Sequence, residues 1–358
     1  MRGEFTTAED LAEHGYDYVR VDAGSIQRVV TLSTSGSTGA GKRLYFTAGD
    51  LQRTKDFFRD GMRWLCSPGD KVAILLGSPS PDGVGRLLEE GLRELGAEPS
   101  LLGLPRDYGE TAAALRALRP DTLVGLPVMV RRLALTAPEL RPKTVLLSAD
   151  YVSLAAAETI GRLWRTKVFS HYGLTESGLG FAVQCPLLLG QHIRADELQV
   201  EIVDPDTGES LPEGQWGEIV FTTLRREAMP LKRYRTGDIS RLLPGDCPCG
   251  TPGPRLDRVL GRVTELRKPV SIYALDEALL SRDEVLDFEA SFREGTLTVT
   301  AEGGEPEKLR ALLAEKWPGL RRLALSPRIP SFQDYDGRRE ILHGGQYESR
   351  CPRAALRL

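Results

Sequence analysis

Short apolar runs alternate with amphipathic stretches between residues 71 and 170. Residues 72–76 are continuously apolar, whereas residues 84–95 carry apolar side chains at helical spacing. The predicted strands are 72–76, 99–104, 122–125, 144–147 and 167–170, and the predicted helices are 84–95, 111–118, 128–135 and 154–164. Strands separated by helices predict right-handed crossover connections and a largely parallel sheet that is covered on both faces.

Two more helices are predicted before this region. Thr6 is followed three residues later by Glu9, a pairing typical of a helix start. Asp50 can cap the second helix. The apolar face of that second helix consists of Leu51, Phe58, Met62 and Leu65. We interpret this face as core packing.

Beyond residue 197 the period of the apolar positions changes to two. Leu198, Val200 and Ile202 alternate, a turn follows at 204–208, and residues 218–221 return as a second strand, which indicates an antiparallel element. Further along, a strand over 296–300 precedes a helix over 306–316. We therefore predict an α/β protein. Its large N-terminal domain (1–262) has a mostly parallel sheet plus the antiparallel β element, a smaller C-terminal α/β cap domain spans 263–345, and a tail spans 346–358.

Composition narrows the class of protein. Of its 358 residues, 41% are hydrophobic and 27% are charged, which is ordinary for a globular protein. The net charge of -3 provides no electrostatic attraction to polyanions, so neither nucleic acid nor an anionic membrane is an expected partner. Its apolar runs are far shorter than the roughly 20 residues that span a bilayer. The start of the chain shows no signal peptide, and five cysteines are too few for a disulfide framework. We expect a cytoplasmic protein.

Residues 33–42 combine hydroxyl side chains and glycines with a final lysine, Lys42. Close backbone approach, O–H donors and one cation together suit a polyphosphate. Gly36 and Gly41 nearly complete a Walker motif, but Arg43 stands where that motif needs Ser or Thr, and a strand-like stretch follows instead of a helix. We predict a nucleotide phosphate loop that joins two strands. A flexible Ser/Gly turn is the alternative.

Two further motifs carry candidate nucleotide ligands. A tight loop after the strand ending at Ser170 contains Tyr172, which can stack on a base, and Glu176, a natural magnesium ligand. Residues 234–238 end in Asp238, whose carboxylate can accept both hydroxyls of a ribose. The guanidinium of Arg262 can hold a ribose or phosphate oxygen.

These motifs occur in the order and at the separations typical of one enzyme family. From about residue 5 to residue 341, the chain resembles the acyl-adenylate-forming (AMP-binding) superfamily, most closely its phenylacetate-CoA ligase-like branch. The residues that carry the resemblance are 35–39, 172–176, 202–205, 217–222, 227–230 and 234–238.

The resemblance implies a two-step reaction. The carboxylate of a small aromatic acid attacks the α-phosphate of ATP, and the thiol of coenzyme A then takes the acyl group from the adenylate. Charge neutralisation and alignment drive such chemistry rather than a protein nucleophile. The resemblance further implies that ATP, Mg²⁺ and coenzyme A are ligands.

The resemblance also implies roles for individual residues. The catalytic residues would be Thr175 at the α-phosphate, Glu176 at Mg²⁺, Lys42 at the β- and γ-phosphates, and Arg338. The remaining nucleotide-binding residues would be Ser35, Gly36, Ser37, Thr38, Gly39, Ala149, Asp150, Tyr172, Gly173, Asp238 and Arg262. The acyl pocket would lie near residues 83–85 and Pro127.

Several positions depart from the family pattern. Gly41 stands where a proline is usual, Pro269 follows the expected hinge, and Arg338 stands where a lysine normally engages the α-phosphate. The chain also starts late compared with the family, as if an N-terminal segment were absent. Two alternatives therefore stay open: an adenylyl transferase acting on a cofactor, or a degenerate protein that binds nucleotide or acyl-adenylate without forming a thioester.

Four side chains suit a structural zinc ion. Cys247 and Cys249 lie between Asp238 and Arg262, and Cys185 precedes His192 by seven residues. Three sulfurs and one imidazole make a closed tetrahedral set. Ordinary thiols in a turn are the alternative. The expected partners are a small carboxylic acid and a nucleotide, and the sequence leaves a homodimer open.

Overall fold

Helices and strands alternate between residues 71 and 172, as the apolar pattern predicts. The computed structural model describes residues 5–32, 41–77, 83–293, 295–319, 322–327 and 341–343. The helices are α1 (Ala8–His14), α2 (Ala48–Met62), α3 (Val84–Leu95), α4 (Tyr108–Leu118), α5 (Pro127–Thr136), α6 (Leu154–Trp164), α7 (Val263–Leu266), α8 (Ile272–Leu279) and α9 (Pro306–Lys316). The strands are β1 (Arg28–Leu32), β2 (Lys42–Phe46), β3 (Lys71–Leu75), β4 (Glu98–Leu101), β5 (Thr122–Gly125), β6 (Thr144–Leu147), β7 (Lys167–Tyr172), β8 (Ala182–Gln184), β9 (Gln191–Ile193), β10 (Leu198–Val203), β11 (Gly217–Thr223), β12 (Tyr234–Ser240), β13 (Leu242–Leu243), β14 (Arg255–Leu256), β15 (Gly261–Arg262), β16 (Val285–Arg293), β17 (Thr296–Gly303), β18 (Arg322–Pro327) and β19 (Ile341–His343).

The largest sheet has the order β13-β14-β9-β8-β7-β6-β5-β3-β4. Strands β4, β3, β5, β6 and β7 are mutually parallel, whereas β8, β9, β14 and β13 extend the sheet in antiparallel fashion. The parallel strands are covered on both faces, since Val72 to Leu75 are all fully buried. One face packs on α2 and α3, and the other on α4, α5 and α6. The predicted α/β fold class is confirmed.

A smaller sheet, β10-β11-β12-β15, carries the predicted ribose ligands. Strand β12 pairs with β15 so that Asp238 lies directly opposite Arg262. Along β12, buried and partly buried residues alternate, with Tyr234, Thr236 and Asp238 all on the buried side. Tyr234 therefore faces the same way as Asp238.

Strands β1 and β2 form an antiparallel hairpin in which Leu32 pairs with Lys42. The predicted phosphate loop thus joins two strands, as expected, and does not open a helix. A Cβ atom on Gly41 would lie 2.9 Å from the carbonyl oxygen of Leu32, which accounts for a glycine at this position.

The predicted cap is one residue too early for α1 and three residues too late for α2. The N-cap of α1 is Thr7, whose side chain accepts the Asp10 N–H, so the assignment to Thr6 is wrong. The N-cap of α2 is Thr47, and Asp50 is the third helical residue of a reciprocal capping box. Asp50 is already engaged elsewhere, because its carboxylate also accepts backbone N–H groups from the 227–228 segment at 2.9 and 3.0 Å.

The C-terminal part forms a sheet of order β18-β17-β16-β19 with α8 and α9. It packs on α5 and α6 through a shared apolar core. Buried Arg131 of α5 donates to the carbonyl oxygens of Arg282 and Val285, both at 2.7 Å. The Glu277 carboxylate accepts the first N–H groups of α6, from Leu154 and Ala155, at 3.0 Å each. The domain limits at 262 and 345 stay predictions. No helix in the described ranges is long and apolar enough to cross a membrane.

Candidate active site

Three segments distant in sequence meet around the carboxylate of Glu176. Lys42 at the start of β2 donates from Nζ to Glu176 Oε1. Tyr234, the first residue of β12, donates its hydroxyl to the same oxygen at 2.8 Å and accepts from Lys42 Nζ at 3.2 Å. The phosphate-loop strand, the turn after β7 and strand β12 therefore converge on one point.

The Glu176 carboxylate is buried but held in its charged form. Burial raises the pKa of this carboxyl, and the Lys42 ammonium, a hydrogen bond to the backbone and the Tyr234 hydroxyl outweigh it, so the pKa lies below its usual range. Burial also raises the pKa of Tyr234, which keeps its hydroxyl a donor. In the free protein, then, an ammonium neutralises the carboxylate that the sequence assigns to magnesium.

A second buried carboxylate, that of Asp238, also accepts from a tyrosine and lies close to a cation. Tyr172, the last residue of β7, donates its hydroxyl to Asp238 Oδ2 at 2.8 Å. Arg262 Nε lies 3.5 Å from the other oxygen, Oδ1, and the Arg262 side chain is 59% exposed. Burial raises the pKa of Asp238 although Arg262 opposes it, whereas the nearby Asp238 carboxylate raises the pKa of Arg262. Oδ1 of Asp238 thus faces the solvent-exposed guanidinium of Arg262.

Two of the predicted nucleotide-binding residues, Gly173 and Ala149, have a constrained backbone. A Cβ atom on Gly173 would lie 2.1 Å from the carbonyl oxygen of Leu179, so a side chain does not fit there. Ala149, just after β6, has φ +68°, a left-handed conformation that costs a non-glycine residue about 1–2 kcal/mol. Such strain clusters at functional sites. Thr175 is buried next to Glu176.

The four predicted zinc ligands also come together. The ligand atoms of Cys185, His192, Cys247 and Cys249 all lie within 4.8 Å of one another. Cys185 Sγ is 3.9 Å from Cys247 Sγ, and Cys249 Sγ is 3.4 Å from His192 Nε2. These separations are those of ligands around one tetrahedral ion, since a Zn–S bond is about 2.3 Å and a Zn–N bond about 2.0 Å. The donor set therefore fits zinc.

Comparison with known proteins agrees with this geometry. The family model described as "AMP-binding enzyme" matches residues 27–224, more than half of the chain. The chain belongs to the AMP-binding enzyme family. The phenylacetate-coenzyme A ligase of Thermus thermophilus is 31% identical over 315 residues, which cover 82% of this chain and 69% of that one. The Escherichia coli K12 ligase of the same name is 30% identical over 276 residues, covering 73% and 61%.

A solved structure shares the fold of this AMP-binding enzyme. The 2-hydroxyisobutyryl-CoA ligase, crystallised in the postadenylation state with an acyl-AMP, superposes with a TM-score of 0.79 at 20% identity. The match covers 95% of this chain and 80% of that one. The predicted placement in the phenylacetate-CoA ligase-like branch, and in the class of AMP-forming acid–CoA ligases, is confirmed.

Some of the residues predicted for the site of the AMP-binding enzyme lie close together in the structure. The structure brings Lys42, Tyr172, Glu176, Asp238 and Arg262 together, although their roles stay predictions. Strand β7 continues to Tyr172, so the expectation that His171 and Tyr172 lie in a loop is wrong: both pair with β8. The predicted residues Ser35, Gly36, Ser37, Thr38, Gly39 and Arg338 lie outside the described residues.

Two tyrosines at the site of the AMP-binding enzyme were not assigned from the sequence. Tyr234 lies within the 234–238 motif, and the period of two along β12 puts it on the same face as Asp238. The hydroxyl of Tyr273 in α8 accepts the backbone N–H of Arg262 at 3.2 Å, and its ring packs at a tilt of 47° against that of Tyr151, with centroids 4.6 Å apart. It reaches the site from the C-terminal part through tertiary packing, which no local pattern reveals.

Proposed function

We propose that the protein activates a small aromatic carboxylic acid with ATP and transfers the acyl group to coenzyme A. The convergence of Lys42, Glu176 and Tyr234 beside Tyr172 and Asp238 carries the proposal, because it supplies groups for all parts of one ATP molecule. An apolar cavity adjoins β7 and contains Phe57, Phe58 and Val84 in its wall, near the predicted acyl pocket. Pro127 is not part of that wall.

In the first step an acid carboxylate oxygen attacks the α-phosphorus, and the α–β phosphoanhydride bond breaks to release pyrophosphate. In the second step the thiol attacks the acyl carbonyl and AMP leaves. Lys42 and residues 35–39 hold the terminal phosphates, and Thr175 lies at the α-phosphate. Asp238 and Arg262 hold the ribose. The adenine lies against Ala149, Asp150, Tyr172 and Gly173.

Glu176 is the residue that would hold magnesium. It is a buried carboxylate whose pKa is held below its usual range, so it offers the ionised oxygen ligands that a hard divalent cation prefers. The ion would supply charge neutralisation on the phosphates. Lys42 Nζ contacts the same carboxylate, so it would lie close enough to share the neutralisation of a bound polyphosphate with the ion.

ATP–pyrophosphate exchange over a panel of acids tests the proposal. We expect exchange with phenylacetate and related aromatic acids, little with acetate, and thioester formation when coenzyme A is added. Nucleotide binding without exchange for any acid would instead support a degenerate binding protein. Transfer of AMP to a cofactor without an acid would support an adenylyl transferase. A cytoplasmic location and a homodimer stay predictions.

Zinc at the Cys185, His192, Cys247 and Cys249 cluster is part of the same proposal, in a structural role. The cluster joins the turn around Cys247 to β8 and β9. It uses all four protein ligands, which is typical of structural sites. Thr251 N–H donates to Cys249 Sγ at 3.4 Å, a contact that supports a thiolate.

Removal of one ligand is expected to release the metal. Purified protein should contain about one zinc per chain by mass spectrometry, and Cys247→Ser should lose most of it and unfold at least about 5 °C lower, equal to about 2 kcal/mol. Cys66→Ser is the matched control, because Cys66 is a buried thiol outside the cluster whose pKa burial raises to about 12. Zinc absent from the wild type, or retained by Cys247→Ser, would contradict the site.

A further inference from the structure

The apolar cavity beside β7 contains one polar pair. Its empty volume is about 410 Å³, part of it open to solvent, and it lies between α2, α3 and the carboxyl ends of the parallel strands. Its wall is formed by Phe57, Phe58, Gly61, Met62, Leu76, Val84, Leu88, Val124, Leu146, Ser148, His171 and Val183. Only Ser148 and His171 in this wall have polar side chains, so any hydrogen bond from the wall's side chains to a bound acid depends on this pair.

The pair is fixed in place by its surroundings. Ser148 directly follows β6 and His171 is the penultimate residue of β7, so adjacent parallel strands present both groups. Ser148 Oγ lies 2.8 Å from His171 Nδ1. A Cβ atom on Gly173 would lie 2.6 Å from His171 Cε1, which shows that the ring lies directly against the backbone. The Phe57 ring centroid is 5.6 Å away.

One ring nitrogen is left without a partner. His171 Nε2 is buried and makes no hydrogen bond within the described part of the chain. Proteins rarely leave a buried polar atom in that state unless a ligand or water satisfies it. A ligand in the cavity is therefore the natural partner.

The hydrogen-bond pattern favours Nε2 as a donor. The described residues provide no second acceptor for the Ser148 hydroxyl, so it donates to Nδ1, and the ring hydrogen then belongs on Nε2. Burial lowers the pKa of His171 to about 4, so the ring is neutral at pH 7. A neutral N–H donor suits a neutral oxygen, and it offers no charge to balance an anionic substituent.

We infer that His171 makes the site selective for aromatic acids that carry a neutral oxygen acceptor, such as a hydroxyl, ether or ketone, on the ring. The inference rests on the proposed function, since it concerns the acid that this function activates. Ser148 is a positioning residue, because it acts on the acid only by holding the imidazole and its tautomer.

The test compares exchange rates for phenylacetate and for its hydroxy and methoxy derivatives at each ring position. For at least one oxygenated acid, we expect the wild-type kcat/KM to exceed that for phenylacetate at least about tenfold, mainly through a lower KM. In His171→Phe, which keeps an aromatic ring but removes the donor, that ratio should fall below about twofold. Met62→Leu, a volume-conserving change in the same wall, should keep the preference.

The outcomes separate this inference from the proposed function. Two results would refute the role of His171 while leaving the ligase function intact, provided that phenylacetate supports exchange. In one, the wild type shows no preference for oxygenated acids. In the other, that preference persists in His171→Phe. If no acid supports exchange, both the inference and the proposed function are wrong.

A second measurement needs no substitution. Nitrogen-15 spectra of the wild-type histidines report which ring nitrogen carries the hydrogen. We expect His171 to carry it on Nε2, and this resonance to shift on binding of the preferred oxygenated acid more than on binding of phenylacetate. A hydrogen on Nδ1, or equal shifts for both acids, would overturn the assignment.

Discussion

Glu176→Gln is expected to slow formation of the acyl-adenylate by about 10²–10³-fold, the size of effect seen when one electrostatic group is lost from a preorganised site. An amide has nearly the same shape as the carboxylate but is a poor ligand for a hard divalent cation. The substitution also leaves Lys42 without its anionic partner in the free protein. The measurement is single-turnover adenylate formation over a range of magnesium concentrations, where the variant should require far more magnesium.

Tyr234→Phe is the control for Glu176→Gln. It removes the hydroxyl that donates to Glu176 at 2.8 Å but leaves the carboxylate and its contact with Lys42. We expect a loss below about tenfold, the value of one hydrogen bond. If Glu176→Gln kept the wild-type rate and magnesium dependence, the magnesium role of Glu176 would be wrong.

Asp238→Asn is expected to weaken ATP binding by about 10–100-fold, or about 1.4–2.8 kcal/mol, as measured by calorimetry with magnesium present. The amide can still accept the Tyr172 hydroxyl, so the fold around β12 should persist. It has only one acceptor oxygen, however, and it no longer attracts Arg262, whose Nε lies 3.5 Å from the carboxylate. The two ribose hydroxyls therefore lose their shared acceptor.

Tyr172→Phe is the control for Asp238→Asn, because it removes only the hydroxyl that donates to the Asp238 carboxylate. The ring remains available to the adenine and the charge of Asp238 is kept, so ATP affinity should change less than about fivefold. Equal affinities for the wild type and Asp238→Asn, with unchanged melting temperatures, would refute the ribose assignment.

The sequence predicted the parallel part of the fold well because its signals are local. The limits of α3, β5, β6 and α6 agree with the predicted ranges, since each element shows its own period and its own end signals. Strand β7 runs two residues further than predicted, because His171 and Tyr172 pair with Val183 and Ala182 of β8. That pairing depends on residues about ten positions away and leaves no mark on the local pattern.

The candidate site was predictable in its chemistry but not in its contacts. Residue types alone indicated that Glu176 suits magnesium and that three cysteines and His192 suit zinc, and the structure brings each group together. The Lys42–Glu176 contact joins residues 134 positions apart. The pairing of Ser148 with His171 likewise depends on two strands lying side by side, so only the fold reveals it.

The bonds of Arg131 and Glu277 have a consequence for large-scale motion. Moving the C-terminal part away from α5 and α6 would break the hydrogen bonds of a buried guanidinium and remove the acceptor of the first two N–H groups of α6. If these contacts together contribute about 3–4 kcal/mol, detached molecules amount to fewer than about one in a hundred at equilibrium. A ligand that requires the detached arrangement must then bind it correspondingly more tightly, and its apparent affinity is reduced by the same factor.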